Sequence, residues 1–318
     1  MIESILSSSL LIVAVTALRY ALRGRISLRL QYGLWALVAL RLLLPFPLFD
    51  SSLSVTAALG APAIESAVED YHLPIRPASE SDFNVGLDQP AGEERTGNEE
   101  RSISLDSLLK GVWLAGAAVM AVWLLSSNLR LLRRLKQGRR PVAAPLSRLP
   151  VYCVEGLPTP CLFGLLRPAV YLTPESLEEG RMSHILTHEL THYTHGDSLW
   201  NLIRALCLTV YWFNPLVWAA ASLSRRDCEL ACDEGVIARL GEENRFAYGR
   251  TLVGMAAVGG GMGDMLRCST AMVSGKAGLK ERIALIAKRP RMLVFTLVSV
   301  LGLCALLAAC TFSGAPRE

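Results

Sequence analysis

Four stretches of this 318-residue chain, about Ile5–Tyr20, Leu30–Phe49, Leu108–Ser126 and Met292–Cys310, are apolar over the length a helix needs to cross a hydrocarbon core. No other feature narrows the fold as much, because lipid offers no partner for a backbone amide and only structures that satisfy their own hydrogen bonds can span it. The composition agrees: 52% of residues are hydrophobic, and the mean hydropathy is positive. Residues 1–20 carry no basic leading segment and no small-residue cleavage site, so the first stretch reads as an uncleaved anchor.

Basic residues orient such helices. Arg23, Arg25 and Arg29 fill the link between the first two stretches, Arg130 to Arg140 follow the third, and Lys276 to Arg291 precede the fourth. The segment 51–106 is acidic instead, with Glu65, Glu69, Asp70, Glu93 and Glu94 among its many carboxylates. The pattern predicts two membrane helices in 1–50, an external acidic loop over 51–106 and a third membrane helix over 107–127. A cytoplasmic block over 128–291, a last membrane helix over 292–310 and an external tail over 311–318 follow. Residues 78–103, rich in Ser, Glu, Gly and Asn, are expected to be disordered. A net charge of +4 points to no nucleic-acid partner, and the eight cysteines show no paired spacing, so reduced thiols are expected.

Inside the block, His188-Glu189-Leu190-Thr191-His192 places two imidazoles one helical turn apart on one face, with Glu189 beside them. About forty residues on comes Glu229-Leu230-Ala231-Cys232-Asp233. Two imidazoles and a distant carboxylate leave a fourth position open on a single Zn2+, which a catalytic zinc needs and a structural one lacks. On this reading His188, His192 and Glu229 bind the metal, which lowers the pKa of a water to about 7. Glu189 takes that water's proton as it attacks a peptide carbonyl and hands it to the leaving amine. Asp233, one turn past Glu229, orients a ligand histidine. His184 is an alternative third ligand or a half-buried neighbour. Cys228 and Cys232 are expected to be packed apolar thiols, and Tyr248 is a candidate oxyanion stabiliser.

Leu199–Leu223 is apolar enough to span, yet one crossing would strand Glu229 on the far side of the bilayer from His188. Asn214-Pro215 at its middle suits a hairpin, so 199–223 is read as two short helices that return to the same face. Around it, Val151–Val154 and Ala169–Leu172 read as strands, the latter as the edge on which a substrate would pair. Thr173-Pro174 is a helix start, Arg181–His195 a helix stopped by Gly196, and Leu223–Leu240 a second helix. The result is an α+β peptidase core among membrane helices. Ser107-Leu108-Leu109-Lys110 and Leu307-Ala308-Ala309-Cys310 mimic a serine-enzyme motif and a lipoprotein box, but their settings fit neither.

Taken together, Arg41-Leu42-Leu43-Leu44-Pro45, Phe163-Gly164-Leu165-Leu166-Arg167-Pro168, His188–His192, Trp212-Phe213-Asn214-Pro215-Leu216-Val217-Trp218, Glu229–Glu234 and Leu279-Lys280-Glu281-Arg282-Ile283 resemble the BlaR/MecR family of bacterial integral membrane zinc metallopeptidases. The resemblance implies His188, His192 and Glu229 as zinc ligands and Glu189 as base. It implies the fold of a multi-pass α-helical membrane protein of the bacterial cell membrane with an inserted α+β gluzincin-like zinc metallopeptidase domain. The lipid bilayer and a cytoplasmic protein substrate, a winged-helix transcriptional repressor, are the implied partners. The family's best-known members carry an external penicillin-binding sensor after the last membrane helix. Only Thr311–Glu318 follow it here, so β-lactam sensing is not expected of this segment. Two other functions fit the same residues: a membrane quality-control peptidase of the Ste24/HtpX kind, and a non-catalytic membrane scaffold that keeps the metal for folding.

Overall fold

The computed structural model describes residues 2–44, 103–145, 147–178, 180–256 and 276–288, short strands at 49–50, 72–73, 270–271 and 313–314, and isolated helical residues between 298 and 311. The expected disorder of 78–103 and nearly all of the expected last membrane helix fall outside the described residues.

Eight helices are described: α1 (Ile2–Ala21), α2 (Leu28–Leu43), α3 (Leu105–Lys136), α4 (Arg181–His195), α5 (Asp197–Val210), α6 (Pro215–Leu240), α7 (Arg245–Ala256) and α8 (Lys276–Ala287). Among the described residues, Ser4–Ala21 within α1 and the whole of α3 are long and apolar enough to cross a membrane. They differ in their surroundings. α1 buries Leu11, Ile12 and Val15 against other helices, whereas α3 turns Leu114, Val119, Val122 and Leu125 outward, each more than 60% exposed. α3 meets the rest of the chain along its length: Trp113 Nε1 donates to the Val210 carbonyl at 2.8 Å, Leu124 packs with Leu11 and Leu208, and Leu131 and Leu135 pack with Cys161, Ala169 and Tyr171.

The local sequence explains where the helices stop. Ser27 caps α2, its hydroxyl accepting from the Leu30 amide at 3.2 Å. Asn214 caps α6 in the same way through the Leu216 amide at 2.9 Å, and Pro215 takes the first helical position, where its missing N–H costs nothing. The break between α5 and α6 therefore lies at Tyr211–Asn214, within the expected hairpin. The second arm does not end at residue 223: it continues as one 26-residue helix that carries Glu229 and Asp233.

Five short strands form the one larger sheet: β1 (Arg140–Pro141), β2 (Val151–Cys153), β3 (Cys161–Phe163), β4 (Ala169–Leu172) and β5 (Thr270–Ala271), in the order β1-β2-β4-β3-β5. β2 and β4 run parallel, and the other pairs are antiparallel. This corrects the expectation that Ala169–Leu172 is an edge strand. β4 is bonded on both sides and all four of its residues are buried, as their continuous apolar run requires. The strand next to the edge is β3, and its outer neighbour is β5.

α6 is a wall shared by two cores. Toward α1, α2 and α5 it contributes Val217, Ala220, Cys228 and Ala231, which pack with Leu11, Trp35, Val38 and Leu208. Toward the sheet, α4, α7 and α8 it contributes Cys232, Val236 and Ile237, which pack with Leu172, Ile185, Tyr248 and Ile286. Polar links pin it to the first helix pair. The buried Asp227 carboxylate accepts from Arg19 Nε at 2.9 Å, from Gln31 Nε2 at 2.7 Å and from Trp35 Nε1 at 2.7 Å. Glu234 accepts from the Leu28 and Arg29 amides at 3.3 and 3.0 Å, capping the open start of α2 with a carboxylate. On its other side α6 approaches α4 closely at Gly235, where a Cβ would lie 2.9 Å from Thr191 Cγ2.

Candidate metal centre

α4 and α6 cross with His188 and His192 on one and Glu229 on the other. The two imidazole rings stand edge to face, with centroids 4.7 Å apart and planes at 90°. Their Nε2 atoms approach to 3.1 Å. The Glu229 carboxylate closes the triangle, with Oε2 3.6 Å from His188 Nε2 and Oε1 3.7 Å from His192 Nε2. Ligands at 2.0–2.1 Å from a tetrahedral ion are separated by about 3.3 Å, so the two Nε2 atoms are spaced to share one cation, with one Glu229 oxygen near each of them. Glu189, next to His188 on the same helix, has no exposed surface.

The far side of each imidazole fixes which nitrogen is available. His192 Nδ1 lies 2.6 Å from Asp197 Oδ2. His188 Nδ1 lies 2.8 Å from the Tyr248 hydroxyl, which donates to Asp233 Oδ1 at 2.5 Å. Carboxylates can only accept, so each Nδ1 is the protonated nitrogen and each Nε2 lone pair is turned to the triangle. Asp197 reaches back because Gly196 adopts φ 73°, a left-handed turn that ends α4 and starts α5 one residue later.

Charge in the site is arranged around Arg282 of α8. Its Nε and one terminal nitrogen each lie 2.7 Å from Asp233, and the other terminal nitrogen lies 3.1 Å from Glu229 Oε2. Burial alone would raise the Glu229 carboxyl, but Arg282 and the two histidines outweigh it and hold the group well below the usual carboxylate range. Glu229 is thus an anion at any physiological pH. Burial keeps His188 below its ordinary pKa and therefore neutral. Burial works against a charge on His192 as well, yet the neighbouring Cys232 and Asp197 side chains reverse the shift. Cys232 is itself pushed up by burial and stays a neutral thiol, so Asp197 is the anion that counts.

Each residue singled out in the sequence can now be placed. His188, Glu189, His192, Glu229 and Asp233 lie together and buried. His184 is outside the triangle, its Nδ1 engaged with Thr251 Oγ1 at 2.9 Å. Tyr248 is not placed to stabilise an oxyanion: it is fully buried and its hydroxyl is committed between His188 and Asp233. Cys232 is buried as expected but lines the centre rather than packing apart from it. Its Sγ donates to the His188 carbonyl at 3.4 Å and is nearer Nδ1 than Nε2, at 3.4 against 3.9 Å. His188, His192 and Cys232 lie close enough together to hold an ion, so the sulfur is within reach of the same site as the Glu229 carboxylate. Asp197 and Arg282 were missed as site residues. The turn signal at Gly196 could have found Asp197; Arg282 arrives from a distant helix, and its segment stood out only through the family resemblance. The five cysteines described, Cys153, Cys161, Cys207, Cys228 and Cys232, form no disulfide.

Two histidines a turn apart, a glutamate beside the first and a carboxylate from a second helix are the equipment of a metal-dependent peptidase. The chain belongs to the M56 peptidase family: it matches the family described as BlaR1 peptidase M56 over residues 1–286. It is similar to the regulatory protein BlaR1 of Bacillus licheniformis, 27% identical over 242 residues, which cover 68% of this chain and 38% of that protein. It is also similar to the methicillin resistance mecR1 protein of Staphylococcus aureus strain Mu50, 26% identical over 102 residues, or 31% of this chain and 17% of that protein. The matched segments thus span well under half the length of these relatives.

Proposed function

We propose that this chain is a membrane-embedded zinc metalloendopeptidase of the gluzincin type. It acts as a signal transducer that cleaves a cytoplasmic transcriptional repressor or itself. The observation that carries the reading is the convergence of His188 Nε2, His192 Nε2 and the Glu229 carboxylate, with both Nδ1 atoms tied to acceptors behind it. One ion per chain fits it, and the all-nitrogen and oxygen donor set suits zinc. Zinc held there supplies Lewis acidity and lowers the pKa of water.

The chain's own residues do the rest. Asp197 and Tyr248 hold the imidazoles in register, and Glu229 supplies the anionic ligand. Glu189 accepts a proton from the attacking water and returns it to the leaving amine. His188, Glu189 and His192 have no exposed surface in this conformation, so a substrate reaches them only after something above them moves. That suits a peptidase held off until a signal arrives. The exposed apolar flank of α3 and the apolar α1 favour a multi-pass chain, with the N-terminus outside and the peptidase on the cytoplasmic side.

Self-cleavage has an observation of its own. β3, packed against α4, is the strand on which a substrate backbone would pair, and Thr270–Ala271 of the same chain pair antiparallel with Leu162 and Cys161 there. The test is to purify wild type and Glu189→Gln in lipid nanodiscs, measure bound zinc, and compare the proteomes of cells expressing each. The variant should keep one zinc per chain and lose cleavage of both the chain and its target. A wild type without stoichiometric zinc, or equal cleavage by the two, would defeat the proposal.

A further inference from the structure

We propose that Arg282 is a positioning residue of the metal centre and that Glu281, its neighbour in the chain, makes that positioning depend on the first apolar helix. The inference rests on the reading of His188, His192 and Glu229 as metal ligands. It assigns the control of that centre to a specific pair on α8.

Arg282 is the only cation among the described residues that touches both carboxylates of the centre. Its guanidinium grips Asp233 with two nitrogens at 2.7 Å and reaches Glu229 Oε2 with the third at 3.1 Å, and the side chain is 2% exposed. A forked donor is needed for this, because an ammonium cannot address two carboxylates in one plane. Without it, two buried anions would face each other. Glu229 would swing from the triangle, and the Asp233–Tyr248–His188 chain would lose its fixed end.

Consecutive residues on a helix point about 100° apart. While Arg282 faces the centre, Glu281 faces α1. Its Oε1 lies 3.6 Å from Arg19 and 3.0 Å from Arg23, and the side chain is 12% exposed. Arg19 is in turn clamped on Asp227 of α6, two residues before Glu229. α6 repeats the arrangement. Asp227 and Glu234 hold α1 and α2, while Glu229 and Asp233 hold the centre. Two helices therefore each carry one set of carboxylates or cations for the apolar helix pair and one for the metal. A shift of α1 relative to α6 pulls on Glu281, and Arg282 moves with it. A cavity of about 390 Å³, lined by Leu28, Leu230, Ile237, Leu285 and Arg282, lies between α2, α6 and α8 and leaves room for that movement.

The experiment measures zinc affinity by competition with a chromophoric chelator on the full-length protein in nanodiscs. Arg282→Lys keeps the charge and loses the fork, and it should weaken zinc about 10- to 100-fold. Glu281→Gln should weaken it by about threefold, the size expected of a partly exposed ion pair. The exchange of Arg23→Glu with Glu281→Arg in one chain should restore most of the Glu281→Gln loss. Wild-type affinity in Arg282→Lys would overturn the positioning role. Wild-type affinity in Glu281→Gln, or an exchange no tighter than Glu281→Gln, would overturn the dependence on α1. A wild type that binds no zinc at all would remove the metal reading itself, and the inference with it.

Discussion

Asp197 receives the Nδ1 proton of His192 at 2.6 Å across the single-residue turn at Gly196. The sequence places the two residues only five apart, yet they belong to different helices, and the turn between them builds half of the support behind the metal triangle. Asp197→Ala should therefore weaken zinc binding about 10- to 100-fold while leaving the fold intact. Chelator competition measures it. His195→Gln, a change to a half-buried histidine in the same turn, serves as the control and should stay within about twofold.

Tyr248 offers a sharper division. Its hydroxyl lies between His188 Nδ1 and Asp233 Oδ1, at 2.8 and 2.5 Å, and reaches no open position. Tyr248→Phe should raise the zinc dissociation constant about tenfold or more. The turnover per bound zinc should barely change. If turnover at saturating zinc fell by about a hundredfold or more, the hydroxyl would be stabilising charge in the transition state after all.

The buried Asp227 cluster predicts a stability effect far from the chemistry. Asp227→Ala leaves Arg19 buried without its main counter-ion and removes the acceptor of Gln31 and Trp35. Breaking a buried pair from one side costs about 3–5 kcal/mol, which thermal unfolding of the detergent-solubilised protein should register. A loss of under 1 kcal/mol would mean that water or lipid headgroups already compete for this carboxylate.

The pH dependence of stability has a defined sign at His184. Its half-buried ring, held to Thr251, has a pKa lowered from 6.5 by burial. The folded state therefore binds this proton less readily than the unfolded chain. The stability it contributes is present above the unfolded value of 6.5 and is lost as pH falls through 6.5 toward the lower folded value. Between pH 7 and 5 the wild type should lose stability more steeply than His184→Gln. Parallel curves would show that the ring has no effect.

How much of this could be read from the chain alone followed from distance in sequence. His188, Glu189 and His192 form one turn of a helix, so their shared face is dictated by 3.6-residue periodicity, and Glu229 with Asp233 repeats the spacing. Thr173-Pro174, Gly196 and Asn214-Pro215 marked element ends because cap chemistry is local. Strand order is not local. The parallel pairing of Val151–Cys153 with Ala169–Leu172 puts the latter inside the sheet, and nothing in either segment announces its neighbour. The same holds for Arg282, 49 residues beyond Asp233, and for Arg19, 208 before Asp227. The carboxylates in question stood out only as charges in apolar surroundings, which says that a partner exists without saying which.

The three donors that surround Asp227 all come from the first 35 residues of the chain. The enzyme and its anchor are consequently not two modules joined by a tether. A truncation that begins after α2, the obvious route to a shorter protein for crystallisation or inhibitor screening, would discard the Arg19 charge that neutralises Asp227 and the Gln31 and Trp35 donors beside it. Such a fragment is better supplied with α1 and α2 in trans than expressed by itself.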